Sequence, residues 1–323
     1  GVGCLAGLAA GQTLALLAPV DGPVGPALIG WIPLSWGLPA ARLVFDIAGV
    51  VTVGLTLLPL LLREARPREA AVALGAAHRR TVVAGAVWAG SAAALLWLQV
   101  AAATGESPLD VRTGRVADYL GAAVAGRALV VAALCGLAVA ATGAVAGPRP
   151  ARISAGLPVV PAVLGMLALP VTGHAATASL HELAVIAVAV HVTAAAGWVG
   201  GLGAVLWLAA PRRELLAATL PRYSRLATAC LIAVAATGVL GAVLRLPSAA
   251  ALFGTPYGWM LLGKGLGVVT LALLGARARA RILPAVMARR TVRLTAWLTV
   301  ELAVMGAVIG LAAVLAGSVA PQT

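Results

Sequence analysis

Three of the four histidines in this chain lie within one short stretch, at His174, His181 and His191. Imidazole nitrogen binds copper, zinc, iron and nickel, and it is also an axial ligand of haem. The stretch leaves one apolar segment, crosses a short loop and enters the next, where His191 lies. Because an ionisable residue inside such a segment is a candidate for function, the cluster predicts a metal site.

Helix geometry limits which histidines can share an ion. His181 and His191 are separated by roughly 15 Å if they lie on one unbroken helix, at about 1.5 Å per residue. We therefore expect His174 to pair with His181 at the outer mouth of the protein, or with His191 if the turn at Gly173 dips inward. The alternative is a structural role, with one buried histidine bonded to a carbonyl group and two histidines at the membrane surface.

Charged candidates also fall within apolar segments, at Asp46, Lys264 and Glu301. Charges in such segments need partners or water. Glu301 is expected at a depth similar to His191, where a contact between the two would satisfy both and could shuttle a proton or hold a cation. Lys264 is expected to neutralise Asp46. Plain helix-to-helix pairing is the alternative for each residue.

Methionine and tryptophan supply further candidates near the histidines. Thioether sulfur favours Cu(I); Met166 lies two helical turns before His174, and Met260 opens a later apolar segment. A methionine in an apolar helix usually packs in the core, and no closely spaced methionine pair is present. Trp198 follows His191 by two helical turns and therefore shares its face of the helix.

The composition indicates a membrane protein that crosses the bilayer several times. Hydrophobic residues make up 62% of the 323 residues and charged residues only 10%, whereas a soluble domain has about 25% charged residues. The net charge of +13 could indicate a nucleic-acid partner, but the arginines fall mostly in short loops between apolar segments. This pattern is typical of membrane topology, so we expect membrane lipids and no nucleic acid as partners. The three isolated cysteines predict neither disulfides nor a thiolate metal site.

We predict an all-α transmembrane bundle, because nine segments approach the roughly 20 apolar residues that a spanning helix needs. The predicted spans are Val2–Ala18, Leu43–Leu62, Thr81–Ala103, Tyr119–Ala146, Ile153–Val171, Leu183–Ala210, Ser224–Leu244, Tyr257–Ala276 and Leu294–Ala316.

The loops that connect these spans alternate between many and few arginines. The rich loops carry Arg63, Arg66, Arg68, Arg79, Arg80, Arg149, Arg152, Arg212, Arg213, Arg222, Arg225, Arg277, Arg279, Arg281, Arg289, Arg290 and Arg293. The poor loops carry only Arg42, Arg112, Arg115 and Arg245. The positive-inside rule then places the N-terminus inside and the C-terminus outside. The acidic side chains of Glu106, Asp110 and Asp118 fall on the outer face and would attract cations.

Motifs of several enzyme classes are absent from the sequence. There is no phosphate-binding P-loop and no serine-hydrolase elbow, and the His-Glu pair at His181 lacks the second histidine of a zinc protease. We therefore expect a protein that is not an enzyme, and any transport must be driven by gradients or by a partner.

Several motifs together resemble the CopD copper-resistance family of bacterial inner-membrane proteins. They are GHAA at Gly173, HVTAAAGWVGGL at His191–Leu202, YSRLATACLIAVAATGVLGAVLRL at Tyr223–Leu246, GTPYGWMLLGKG at Gly254–Gly265 and VELAVMGAVIGLAAVLA at Val300–Ala316. The specific match covers residues 170–316. Earlier segments, such as VFDIAGVVTVGLTLLP at Val44–Pro59, are similar to longer members, some of which carry a fused CtaG-like cytochrome oxidase assembly half. We divide the chain into four N-terminal spans in residues 1–150 and a CopD-like domain of five spans in residues 151–323.

The resemblance implies copper handling in the bacterial inner membrane. Copper would be taken up toward the cytoplasm or supplied to cuproproteins such as cytochrome oxidase, with a periplasmic CopC-like carrier and a fused or associated CtaG-like half as partners. The histidine and tryptophan motif of the family falls on His191, Trp198, Gly200 and Gly201, and its other polar positions fall on Thr237, Tyr257, Lys264 and Glu301.

Two other functions fit the residues. Two axial histidines on neighbouring helices could hold a b-type haem in a membrane electron carrier. The protein could also be a non-catalytic membrane assembly subunit whose histidines are structural.

Overall fold

Every regular element that the computed structural model describes is helical. The description covers residues 32–63, 65, 67–146, 156–171, 181–245 and 250–284. In chain order the helices are α1 (Ile32–Leu61), α2 (Pro67–Thr104), α3 (Thr113–Ala122), α4 (Val124–Ala146), α5 (Val159–Val171), α6 (His181–Ala204), the π-helical segment π1 (Val205–Ala209), α7 (Arg213–Arg245), the single turn α8 (Ala251–Gly254), α9 (Pro256–Arg277) and the π-helical segment π2 (Ala278–Ile282).

Local sequence signals account for several helix ends. Gly105 follows the last residue of α2 with φ of 70°, a conformation that glycine adopts without steric cost. Thr255 caps α9, since its side chain accepts a hydrogen bond from the backbone N–H of Gly258 at 3.0 Å. Pro256 follows at the first helical position, where its missing N–H costs nothing.

Six of the described helical stretches are long and apolar enough to cross a membrane, which confirms an all-helical, multi-pass membrane protein. They are Gly37–Leu61, Ala70–Thr104, Val124–Val145, Glu182–Ala209, Arg213–Leu244 and Leu261–Arg281. They match the second, third, fourth, sixth, seventh and eighth predicted spans. The first and ninth predicted spans lie outside the described residues, so the count of nine and the positions of the termini remain predictions.

Three boundaries differ from the sequence prediction. The fifth predicted span holds α5, whose 13 residues extend only about 20 Å, less than the roughly 30 Å of a bilayer core. The third span belongs to α2, which begins at Pro67 because its alanine-rich start favours helix although it carries charge. The fourth span begins at Val124, because Ala123 is extended and separates α4 from the more polar α3.

Glycines set how closely the helices pack. A Cβ on Gly85 of α2 would lie 2.6 Å from the carbonyl oxygen of Gly136 of α4, so these antiparallel helices are in backbone contact. The same holds where α1 crosses α6, because a Cβ on Gly54 would overlap the backbone of Gly200. Small residues allow this approach in membrane proteins, where packing drives helix association. The crossing of α1 and α6 anchors the helix that carries His191.

Two contacts identify one arginine-rich end of the bundle. The guanidinium of Arg80 in α2 lies over the indole ring of Trp207 in π1, and Arg279 in π2 donates to the hydroxyl of Ser224 in α7. Both π-helical segments therefore lie at this end. The loops predicted to face the cytoplasm include these arginines, but the orientation of the bundle in the membrane remains a prediction.

Candidate functional site

His191 lies on α6 and faces α7. Its Nδ1 is 2.9 Å from Oγ1 of Thr237, and the two residues are 46 positions apart in the chain. The contact arises because α6 and α7 are joined by a short connection and pack against each other. Gly238 leaves the ring edge unobstructed, since even a Cβ there would lie 3.8 Å from Cε1 of His191.

The hydrogen bonds of Thr237 assign the proton on His191. The threonine hydroxyl has one proton, which it donates to the carbonyl oxygen of Ala233 at 2.6 Å. With that proton directed to its own helix, where the carbonyl oxygen of Val234 also lies 3.3 Å away, Oγ1 is free to accept from His191, and the geometry favours the tautomer with the ring proton on Nδ1. A neutral imidazole has only one N–H, and Nε2 consequently keeps its lone pair. The arrangement is that of a metal-binding histidine whose second nitrogen is fixed by an outer hydrogen bond.

Lys264 lies on α9. The sequence prediction placed this lysine beside Asp46, and that pairing is wrong. Asp46 instead accepts from Nε of Arg42, one helical turn earlier on α1, with both carboxylate oxygens 3.1 Å away. Residues four positions apart are neighbours on the surface of a helix, so Arg42 is within reach of Asp46. The described partner of Asp46 is therefore a residue of its own helix rather than Lys264.

Trp198 is buried, with 5% of its surface exposed, in a core that includes Tyr223 and Cys230 of α7. Its carbonyl oxygen accepts a hydrogen bond from the Tyr223 hydroxyl at 3.0 Å. Trp198 and His191 are therefore both tied to α7, one through its backbone and the other through its ring. This bond fixes the register of the hairpin two helical turns from His191.

Met166 lies in a different part of the core. It is buried beside Trp88, and a Cβ on Gly49 would overlap its sulfur atom. It belongs to the cluster that contains Phe45 and Leu129, whereas His191 is bonded to α7. Packing accounts for Met166, and none of its described contacts is with His191.

Some predicted site residues are not described. His174 and Glu301 lie outside the described residues, as do the side chains of His181 and Met260. The backbone does show that α6 continues without a break from His181 past His191, which confirms that one ion cannot bind both. Within the described ranges, no group of three metal-binding side chains comes together. The three-histidine site therefore remains a prediction.

The segment after α2 carries a small polar network. Glu106 pairs with Nε of Arg115 at 3.3 Å through one carboxylate oxygen, while its other oxygen is buried without a hydrogen bond to a described residue. The Tyr119 hydroxyl lies 3.3 Å from the side-chain oxygen of Gln99. Burial raises the pKa of the Tyr119 phenol, so it remains a hydrogen-bond donor. Arg115 offsets part of the negative charge that was expected to attract cations here.

The sequence prediction included Thr237 only as a position of the resemblance, and its bond to His191 was missed. The signal was available in principle. The short arginine-containing loop brings the two spans together, and threonine is one of few polar residues in that part of α7. The sequence pattern did not predict how α6 is rotated about its own axis relative to α7. The hydrogen bond between Tyr223 and the backbone of Trp198 is one contact that depends on this rotation.

Two family descriptions match this chain. "Copper resistance protein D-like, N-terminal domain" matches residues 33–182, and "Copper resistance protein D" matches residues 217–315. No curated protein and no solved structure matches the chain. The first match covers α1 to α5, and the second covers α7 to α9 with the segment that follows. The two descriptions fall in the family's own order and span most of the sequence, so the chain belongs to the CopD copper-resistance family.

Proposed function

We propose that this protein moves or delivers copper ions across the bacterial inner membrane, with Nε2 of His191 as a ligand within the bundle. The family supports a copper-handling role. The observation that carries the proposed site is the bond between Thr237 and Nδ1 of His191, because it leaves the second ring nitrogen with a lone pair. Imidazole is a suitable copper ligand.

Copper enters from the outer face in this proposal. His174 and His181 act at the mouth, and His191 receives the ion about half a membrane deeper. Glu301 is the proposed counter-charge, and Asp46, Met166, Met260 and Trp198 support the path or its walls. The protein is a carrier or delivery factor rather than an enzyme. A CopC-like protein outside and a CtaG-like partner in the membrane are the proposed donor and acceptor.

Metal content of purified protein tests the site. The full chain is purified in detergent, loaded with copper under reducing and under oxidising conditions, and measured by mass spectrometry. We expect His191→Ala to lower bound copper at least severalfold, because a nitrogen ligand is lost. His78→Ala is the matched control, since His78 lies on α2 outside the three-histidine stretch, and it should retain wild-type copper. Equal copper content in His191→Ala and wild type would overturn the proposed site.

A further inference from the structure

The guanidinium of Arg80, stacked on Trp207, has hydrogen-bond donors for which no described residue is an acceptor. The guanidinium carbon lies 4.2 Å from the centroid of the indole ring. This contact occupies one face of the guanidinium and stabilises its charge, but its N–H groups point outward in the guanidinium plane. Arg80 is partly buried and donates no hydrogen bond to another described residue. Such a group needs an acceptor from its surroundings.

The position of the stack along α2 is that of a membrane surface. From Arg80 to the end of α2 at Thr104 the helix extends roughly 36 Å, slightly more than the roughly 30 Å of a bilayer core. Arg80 therefore falls at the headgroup level of the arginine-rich end. Tryptophan is enriched at this level. Trp207 is 54% exposed, while its neighbours Val205 and Leu208 in π1 are buried, so the indole lies on the outside of the bundle.

The surroundings of the stack are basic. Arg79 is exposed beside Arg80 in α2, and the exposed Arg212 and Arg213 follow π1 in the chain. Glu214 is the acidic residue next to them, so the cluster keeps an excess of positive charge. Phosphate is the oxygen acceptor that matches a planar guanidinium, and at headgroup level it is supplied by phospholipids.

We propose that Arg80 and Trp207 bind the phosphate of an anionic phospholipid headgroup. The in-plane N–H groups of Arg80 donate to the phosphate oxygens, and the exposed indole of Trp207 packs against the glycerol region. Arg79, Arg212 and Arg213 favour a headgroup with net negative charge over a zwitterionic one. The bound lipid would hold α2, at Arg80, against π1, the segment that follows the His191 helix.

Native mass spectrometry of the full chain, released from mixed micelles, tests this site. Phosphatidylglycerol and phosphatidylcholine with identical acyl chains are the probes. We expect wild type to retain phosphatidylglycerol preferentially, and Arg80→Gln to reduce that retention at least threefold. Arg115→Gln, at the opposite end of the bundle, is the control and should leave retention unchanged. Trp207→Leu removes the stack but keeps the arginine, and it should give an intermediate loss.

Three results would overturn the proposal. The first is equal retention of the two lipids by wild type. The second is an Arg80→Gln variant that retains as much phosphatidylglycerol as Arg115→Gln. The third is displacement of the lipid by millimolar inorganic phosphate, which would show a site for free phosphate. If Arg80→Gln does not fold, as judged by gel filtration, Trp207→Leu decides the outcome in the same assay.

Discussion

Thr237 fixes which nitrogen of His191 is available. Its hydroxyl takes part in two hydrogen bonds. It accepts from the imidazole at 2.9 Å and donates to the carbonyl oxygen of Ala233 in its own helix at 2.6 Å. This arrangement uses the one proton of the hydroxyl completely. The arrangement therefore favours one tautomer of the histidine before any ion arrives. A preset ligand loses less freedom on binding than one that must turn and exchange a proton.

Replacing Thr237 with valine should weaken copper binding, because valine has a similar shape but no acceptor for Nδ1. Loss of an outer hydrogen bond to a metal-binding histidine typically costs about 10–100-fold in affinity. Thr237→Ser keeps the hydroxyl and should remain close to wild type. Copper affinity is measured by competition with a chelator. Nitrogen NMR of histidine-labelled protein without copper reports the tautomer separately.

The two readouts separate the tautomer assignment from copper binding. Thr237→Val should lose the single Nδ1–H form in the copper-free spectrum, whereas Thr237→Ser should keep it. If valine and serine variants give the same spectrum and the same affinity, Thr237 does not position His191. If only the affinity is unchanged, the hydrogen bond exists but the proposed copper site is elsewhere.

Helix α6 depends on a glycine at its crossing with α1. A Cβ on Gly200 would overlap the carbonyl oxygen of Val50 and lie 2.9 Å from the backbone nitrogen of Gly54. Both groups belong to helix backbone, which cannot move aside as a flexible side chain can. Gly203, less than one turn further along the same helix, has no atom within 4 Å of such a Cβ. The two glycines therefore form a matched pair.

Gly200→Ala should lower the free energy of unfolding by roughly 1–3 kcal/mol, the usual cost of overpacking, because the two helices must separate. Gly203→Ala should be neutral or slightly stabilising, since alanine is the better helix former by up to about 1 kcal/mol. Thermal unfolding in detergent, followed by circular dichroism, measures both. Equal midpoints for the two variants would mean that α1 and α6 do not make this backbone contact.

Hydropathy predicted the helices well where the length of an apolar segment determines the helix. It predicted less well the polar ends of helices and the rotation of one helix relative to another. Six predicted spans correspond to membrane-length helices. The start of α2 was missed because Arg68 and Glu69 fall below an apolar threshold, yet alanine-rich sequence continues the helix outside the bilayer core. The sequence pattern also did not predict the two π-helical segments. The same limit explains why Thr237 and Arg42 were not foreseen as partners.

The whole bundle is electrically polarised. Arg80 and Arg279 mark the arginine-rich end. Glu106 and Arg115 form an ion pair at the other end. Arginine resists transfer across the bilayer, so the arginine-rich end should stay in the cytoplasm. This orientation makes the side of Glu106 the entry face for copper in the proposed function.

Surface labelling of single cysteines tests that orientation. The native Cys4, Cys135 and Cys230 are first replaced by alanine, and a cysteine is then placed at Leu109 or at Arg213, both of which are exposed. We expect a membrane-impermeant maleimide added to spheroplasts to label Leu109→Cys but not Arg213→Cys. Both sites should react once the membrane is opened with detergent, which controls for reactivity.

The opposite labelling pattern would reverse the proposed entry of copper. Arg213 begins α7, and Leu109 lies between α2 and α3, so the two probes report opposite ends of helices that carry the proposed path. If Arg213→Cys reacted in intact spheroplasts, the arginine-rich end would face outward, against the expectation from charge. His191 would then be reached from that end, past Trp207 and π1, and the histidines predicted at the mouth would form an exit.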